Sequence, residues 1–295
     1  MWNALSCGFI VGQRDEHGSV IPGTERIVEQ SLFGYYFEKL KERFESAFDR
    51  WDYEAAKDIL QEMEMRGKTR EVQQFISFWK PIVEFYASWD LFNHALNPKG
   101  IKGISPEHKA FVGKLQNENR SEQSVYLLAD LLNNADRRMK EGRFDDAVAR
   151  FYRIIECVAQ MRLGEKHGLD TSALDLEKIH PHLQEKYAAF RNERSVVQLA
   201  MMRSFELLRD LGDPLGEDFF ADEELRDLLQ KRNRSILAHG FTSVDREMCE
   251  RLYRKTLEFC KKFDSRIEKI REKGKFPSYR DIEVYLEEES LCEPS

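Results

Sequence analysis

The sequence predicts an all-α protein with a short β segment at its amino terminus. Three observations carry this reading. Apolar residues recur at helical spacing along most of the 295 residues, strand-like patterning is confined to the start of the chain, and Pro (8) and Gly (16) are too few for a turn-rich β architecture. Hydrophobic residues at 41% and charged residues at 34% fit long amphipathic helices, and the length suffices for two ordinary domains or one large helical one.

ALSCGFIVG, residues 4–12, reads as a short buried strand, and the polar turn at Asp15, Glu16, His17 and Gly18 before Ser19, Val20 and Ile21 suggests a hairpin or a strand end. From Ile27 onward the spacing becomes helical, with Phe33, Tyr36, Phe37, Leu40, Phe44 and Phe48 in one stripe that Trp51 and Asp52 break. A second helix carries Tyr53, Ala56, Ile59, Leu60 and Met63 and ends near Gly67. Residues 70–95 form an aromatic-rich helix with Trp79, Phe85, Tyr86, Trp89 and Phe92, bent at Pro81. These aromatics are expected as core or dimer interface ahead of a base-stacking surface.

Residues 97–108, NPKGIKGISPEH, concentrate Pro and Gly and mark the best boundary. The expected segments are therefore 1–24, a strand or hairpin; 25–105, a helical region; 106–275, a helical domain; and 276–295, an acidic frayed tail. Within the third, helices at 121–141 and 145–163 form an antiparallel hairpin through Gly142, and further helices follow at 194–210, 222–239 and 244–273, with GDPLGED as a turn. WDYEAAKDIL (51–60) and RFDDAVARFY (143–152) echo one another but lack a repeat period, so they read as unrelated helical hairpins.

A formal charge of −7 argues against coating nucleic acid non-specifically, so any RNA contact must be local. No apolar run reaches membrane-span length and the start lacks a basic signal region, so a cytoplasmic protein is expected. Five scattered cysteines point to neither a disulfide framework nor a zinc site, and His180 and His182 in HPHL lack the companions of a metal set, so they are expected in a loop turn. No metal and no cofactor is expected. Gly-rich phosphate loops and a Gly-x-Ser-x-Gly elbow are missing from the sequence.

The informative segment is LLQKRNRSILAHGF, residues 228–241. Arg232 and His239 lie seven steps apart, within about 20° on a regular helix, whereas Arg234 projects about 140° from His239. Gly240 marks a plausible helix end, where an imidazolium is favoured. Such a pair suits RNA cleavage without a metal. The 2′-hydroxyl is a built-in nucleophile, histidine moves protons near neutral pH, and a guanidinium offers a fork of donors to phosphate oxygens. Asn233 is placed to orient substrate or imidazole. The expected products carry a 2′,3′-cyclic phosphate and a 5′-hydroxyl.

By itself that spacing is weak, but the neighbourhood resembles HEPN domains, whose ribonuclease members carry an Arg, four to six residues, then a His. RNRSILAH satisfies this from Arg232 and also from Arg234, and Asn233 matches the polar residue usual after the arginine. GRFDDAVARFYRIIECVAQMRL, residues 142–163, is similar to the second HEPN helix of CRISPR-associated proteins that join a CARF domain to a HEPN domain, matching at Arg150, Tyr152, Arg153 and Glu156. Arg153 and Glu156 stand either as an ordinary helix ion pair or as support beside Arg232.

VGQRDEHGSVIPGTE, residues 11–25, resembles the last strand and exit of the CARF domain, preceded here by ten residues. The resemblance therefore implies a HEPN-type bundle with an additional N-terminal helical region and a short β remnant. Activation by cyclic oligoadenylate is not expected where most of the CARF sheet is missing.

The resemblance further implies a homodimer whose two Arg/His pairs face one cleft, cutting single-stranded RNA in antiviral defence. Lys231, Arg246, Arg251 and Arg254 are candidate contacts near it, although charge rows on helices are usually solvated faces. Two alternatives stay open: a non-catalytic HEPN-like binding or scaffold protein, and the toxin of a toxin–antitoxin pair.

Overall fold

The computed structural model describes residues 6–31, 33–116, 120–233 and 244–292. In chain order the elements are β1 (Ser6–Val11), β2 (Arg26–Ser31), α1 (Phe33–Asp49), α2 (Tyr53–Arg66), α3 (Arg70–Asp90), α4 (Pro106–Leu115), α5 (Arg120–Lys140), α6 (Phe144–His167), α7 (Pro181–Ala188), α8 (Met201–Asp210), α9 (Pro214–Ala221), α10 (Glu223–Asn233), α11 (Arg246–Phe263), α12 (Ile267–Lys273) and α13 (Tyr279–Cys292). The fold is all-α apart from one two-stranded sheet among the described residues. It divides into two compact units, residues 1–104 with 276–295, and residues 105–275. None of the described helices is long and apolar enough to cross a membrane.

In the first unit β1 and β2 pair antiparallel, Ser6 opposite Ser31 and Val11 opposite Arg26. Residues 27–31, expected to open a helix, therefore belong to the second strand. The β-branched pair Ile27 and Val28 is taken up by the hairpin ladder, and the helix starts at Phe33. Phe37, Leu40, Phe44 and Phe48 of α1 are buried, as are Tyr53, Ala56, Ile59, Leu60 and Met63 of α2. The α1–α2 turn closes with Trp51 N–H on the Phe48 carbonyl and Asp52 N–H on the Ala47 carbonyl, both at 2.9 Å, and Asp52 then caps α2 through the Ala55 N–H at 3.1 Å. That closure needs a left-handed residue, and Trp51 supplies it at φ 60° where glycine is usual.

Trp79, Phe85, Tyr86 and Trp89 of α3 are buried core, which leaves their ring faces unavailable to bases. Phe92 takes φ 60° in the turn after α3, half-buried with its ring edge-on to His94. The segment expected as a frayed acidic tail instead carries α13, because Tyr279 is aromatic enough to be drawn into this core. Its ring stacks on Trp79 at 4.5 Å, and its N–H donates to Asp49 at 2.6 Å.

The second unit is organised on α6. Its Val148, Phe151, Ile154, Ile155, Val158 and Leu163 are fully buried, and the helix packs against α5, α8, α10 and α11. Each such side chain contributes about 1.5–3 kcal/mol. Gly142 at φ 76° closes the α5–α6 hairpin, its N–H on the Met139 carbonyl and that of Arg143 on the Arg138 carbonyl.

Local chemistry shifted three expected boundaries. The helix expected from 194 starts at Met201, since Asn192 caps the N–H groups of Arg194 and Val196 and Ser195 turns left-handed at φ 59°. GDPLGED is not a turn throughout. Asp213 caps the Leu215 N–H at 3.0 Å, Pro214 occupies the first helical position, and α9 follows. The single helix expected over 244–273 is broken between α11 and α12, where Asp264 accepts from the Arg266 N–H at 2.8 Å. His180 and His182, expected in a loop, flank Pro181 at the start of α7.

Two buried polar groups fasten this unit. The Asp213 side chain, fully inaccessible, meets Arg162 at 2.9 Å, His167 at 3.0 Å and Lys166 at 3.1 Å, so it ties the end of α6 to the start of α9. Burial alone would raise its pKa, but these three partners and the Leu215 N–H hold the carboxyl well below the usual range. Asp213→Asn leaves Arg162, Lys166 and His167 facing a neutral group, and the expected loss is about 3 kcal/mol of unfolding free energy, measurable by urea denaturation. An unchanged midpoint would contradict the fastening role.

His108 on α4 is buried and donates from Nε2 to the Lys275 carbonyl at 2.9 Å. Burial pushes its pKa down to about 4, the carbonyl bond resisting. The unfolded chain takes up the proton near pH 6.5 and the folded chain only near 4, so this contribution is complete above the first value and is lost as pH falls between them. Relative to His108→Gln, the parent is expected to lose about 2 kcal/mol more between pH 7 and 5. Parallel pH profiles would contradict this.

Candidate functional site

Helix α10 begins where Asp222 accepts from the Leu225 N–H at 3.0 Å. Leu225, Leu228 and Leu229 bury its inner face. That rotation brings Arg232, in the last turn, to a half-buried position beside α6, with Lys231 exposed. The Arg232 guanidinium carbon lies 4.4 Å from the centre of the Tyr152 ring.

Tyr152 heads a stripe on α6 that continues through Glu156 and Gln160 at four-residue intervals, on the side away from the apolar face. Arg153 Nη1 donates to Glu156 Oε2 at 2.5 Å and to Gln160 Oε1 at 3.1 Å, which makes the ordinary helix ion pair real. Burial, followed by the Glu156 charge, raises the Tyr152 pKa against the opposing pull of Arg232, so its phenol stays neutral. One turn earlier Arg150 donates to Asn134 on α5 and to the Asp146 carboxylate and carbonyl on its own helix.

The expected site residues separate as follows. Arg232, at the end of α10, lies over the Tyr152 ring, and Arg153 and Glu156 pair on the same helix as that ring. Asn233 is the last residue of α10, while Arg234 and His239 lie outside the described residues. Tyr152 was visible in the sequence as a matching position only. Its contact with Arg232 had no sequence signal, because it arises from the packing of two distant helices.

The basic row near α10 is largely matched by carboxylates. Lys231 pairs with Asp227 at 2.8 Å, Arg246 with Glu250 at 3.7 Å and Arg251 with Glu224 at 2.8 Å. Arg254 is exposed. Elsewhere, the exposed Nδ1 atoms of His180 and His182 meet at 2.7 Å. Among the described residues, no three His, Cys, Asp or Glu side chains gather as a metal set.

Comparison with known proteins gives a family and a fold. A family model described as the Csm6 HEPN domain matches residues 116–263. Enterococcus italicus Csm6 bound to cyclic hexa-2′-fluoro-hexa-dAMP has a similar fold, with a TM-score of 0.51 at 12% identity over 92% of this chain. The chain spans 62% of that protein's length. No curated protein matches the sequence.

Arg150 gives a direct check on the scaffold beneath this face. Arg150→Met keeps the aliphatic stem and removes the links to Asn134 and Asp146, and a loss of about 2 kcal/mol is expected from charge-assisted bonds at a half-buried site, read by thermal unfolding. No change in midpoint would show that the α5–α6 contact does not depend on it.

Proposed function

We propose, from the premise that this chain belongs to the Csm6 HEPN domain family, that it is a metal-independent endoribonuclease acting on single-stranded RNA in CRISPR-linked antiviral defence. The observation that supports this reading is the setting of Arg232, half-exposed at the end of α10 and over an α6 ring, with both helices inside the matched residues.

The chemistry follows from the groups. His239, seven residues after Arg232, takes the proton of the RNA 2′-hydroxyl as that oxygen attacks phosphorus. The equivalent His239 of a second copy protonates the departing 5′-oxygen. Bond making at the 2′-oxygen and bond breaking at the 5′-oxygen leave a 2′,3′-cyclic phosphate and a 5′-hydroxyl. Arg232 from each copy stabilises the extra negative charge on the phosphorane, and Asn233 orients the substrate. Arg153 and Glu156 support the face from α6, and Arg234 is the alternative arginine.

The test is cleavage of end-labelled single-stranded RNA in EDTA by the parent, His239→Ala and Arg232→Ala. Cleavage by the parent should persist in EDTA with cyclic phosphate ends, and each variant should be slower by about 100-fold or more. Cleavage surviving in both variants, or abolished by EDTA, would overturn the reading.

A further inference from the structure

We propose that Tyr152 is the positioning residue of this site, its ring face setting the Arg232 guanidinium in the orientation that a phosphate requires; the inference rests on the reading of Arg232 given above. A guanidinium is flat and all five of its N–H donors lie in its plane. With the guanidinium held against the ring and its Nε buried, the terminal amino pair is the edge that can match two phosphate oxygens. The guanidinium carbon stands 4.4 Å from the ring centre, within the range at which a cation is attracted to an aromatic face.

The ring is itself held in place. Tyr152 follows the fully buried Phe151 and precedes Ile154 and Ile155, also fully buried, so the rotation of α6 is fixed by its core face. Arg153 and Glu156 pair beside it on the same helix. The rate follows the fraction of time that the guanidinium spends in the productive orientation, and the ring contact raises that fraction. The attraction comes from the ring face and asks nothing of the phenol hydroxyl. A phenylalanine should serve as well.

The experiment uses the full chain with Tyr152→Phe, Tyr152→Leu and a near-isosteric trifluorophenylalanine at 152 whose ring face is less negative, with kcat and KM measured on labelled single-stranded RNA. Tyr152→Leu should lower kcat about tenfold with little change in KM, because Arg232 acts on charge that develops in the transition state. Tyr152→Phe should restore the rate to within about threefold of the parent and the fluorinated ring should fall between. Combined with Arg232→Gln, Tyr152→Leu should add no further loss.

A parent-like kcat in Tyr152→Leu, a Tyr152→Phe as slow as Tyr152→Leu, or an equal loss in the Arg232→Gln background would overturn the inference. Should Tyr152→Leu misfold, a parent-like rate with the fluorinated ring overturns it instead. Arg232→Gln cleaving at the parent rate would sink the reading of Arg232 and this inference with it. A slow Arg232→Gln beside a parent-like Tyr152→Leu would sink this inference alone.

Discussion

Burial of one face of α6 is the constraint on which the second unit depends. Six fully buried apolar residues, Val148, Phe151, Ile154, Ile155, Val158 and Leu163, leave that helix a single rotation, and α5, α8, α10 and α11 all pack on it. Once that rotation is fixed, the remaining stripe of Tyr152, Glu156 and Gln160 has one place to go, and the end of α10 arrives beside it. Interiors at this density do not turn by a few degrees without opening voids. The geometry around Arg232 is therefore a consequence of hydrophobic packing, and the polar contacts are laid over it.

The helical elements that were legible in the sequence are those with long, strongly periodic apolar stripes. The stripe from Phe37 to Phe48 and that of α2 needed no tertiary information, and neither did the α5–α6 hairpin with Gly142 between its helices. Boundaries set by a single side chain were not legible. Asp213 begins α9 by a cap and by three side-chain partners that come from α6, and Asn192 delays α8 by capping a loop. Residues 27–31 were misread because a strand of six residues carries too little pattern to resist a helical stripe that starts just after it. Tyr279 shows the same limit from another side, since its burial depends on Trp79, far away along the chain.

In the candidate site the start of the helix that carries Arg232, near Asp222, follows from local spacing. The partner ring does not, because two helices distant in sequence supply the two halves of that contact. The surrounding charges fit an acidic chain of net −7, in which Lys231, Arg246 and Arg251 stand against Asp227, Glu250 and Glu224. Surface pairs of this kind contribute little to stability. Their consequence is electrostatic, for they reduce the diffuse positive field over this face.

The central claim is that two copies of this chain complete one reaction centre around a single phosphodiester. Mixed dimers of one parental copy and one copy carrying Arg232→Ala and His239→Ala together, isolated through two different affinity tags, test it most directly. Shared chemistry predicts cleavage per dimer far below half that of the parental dimer, because every phosphodiester then lacks one of its proton carriers. Half the parental rate would mean that each copy works alone, and would contradict the account.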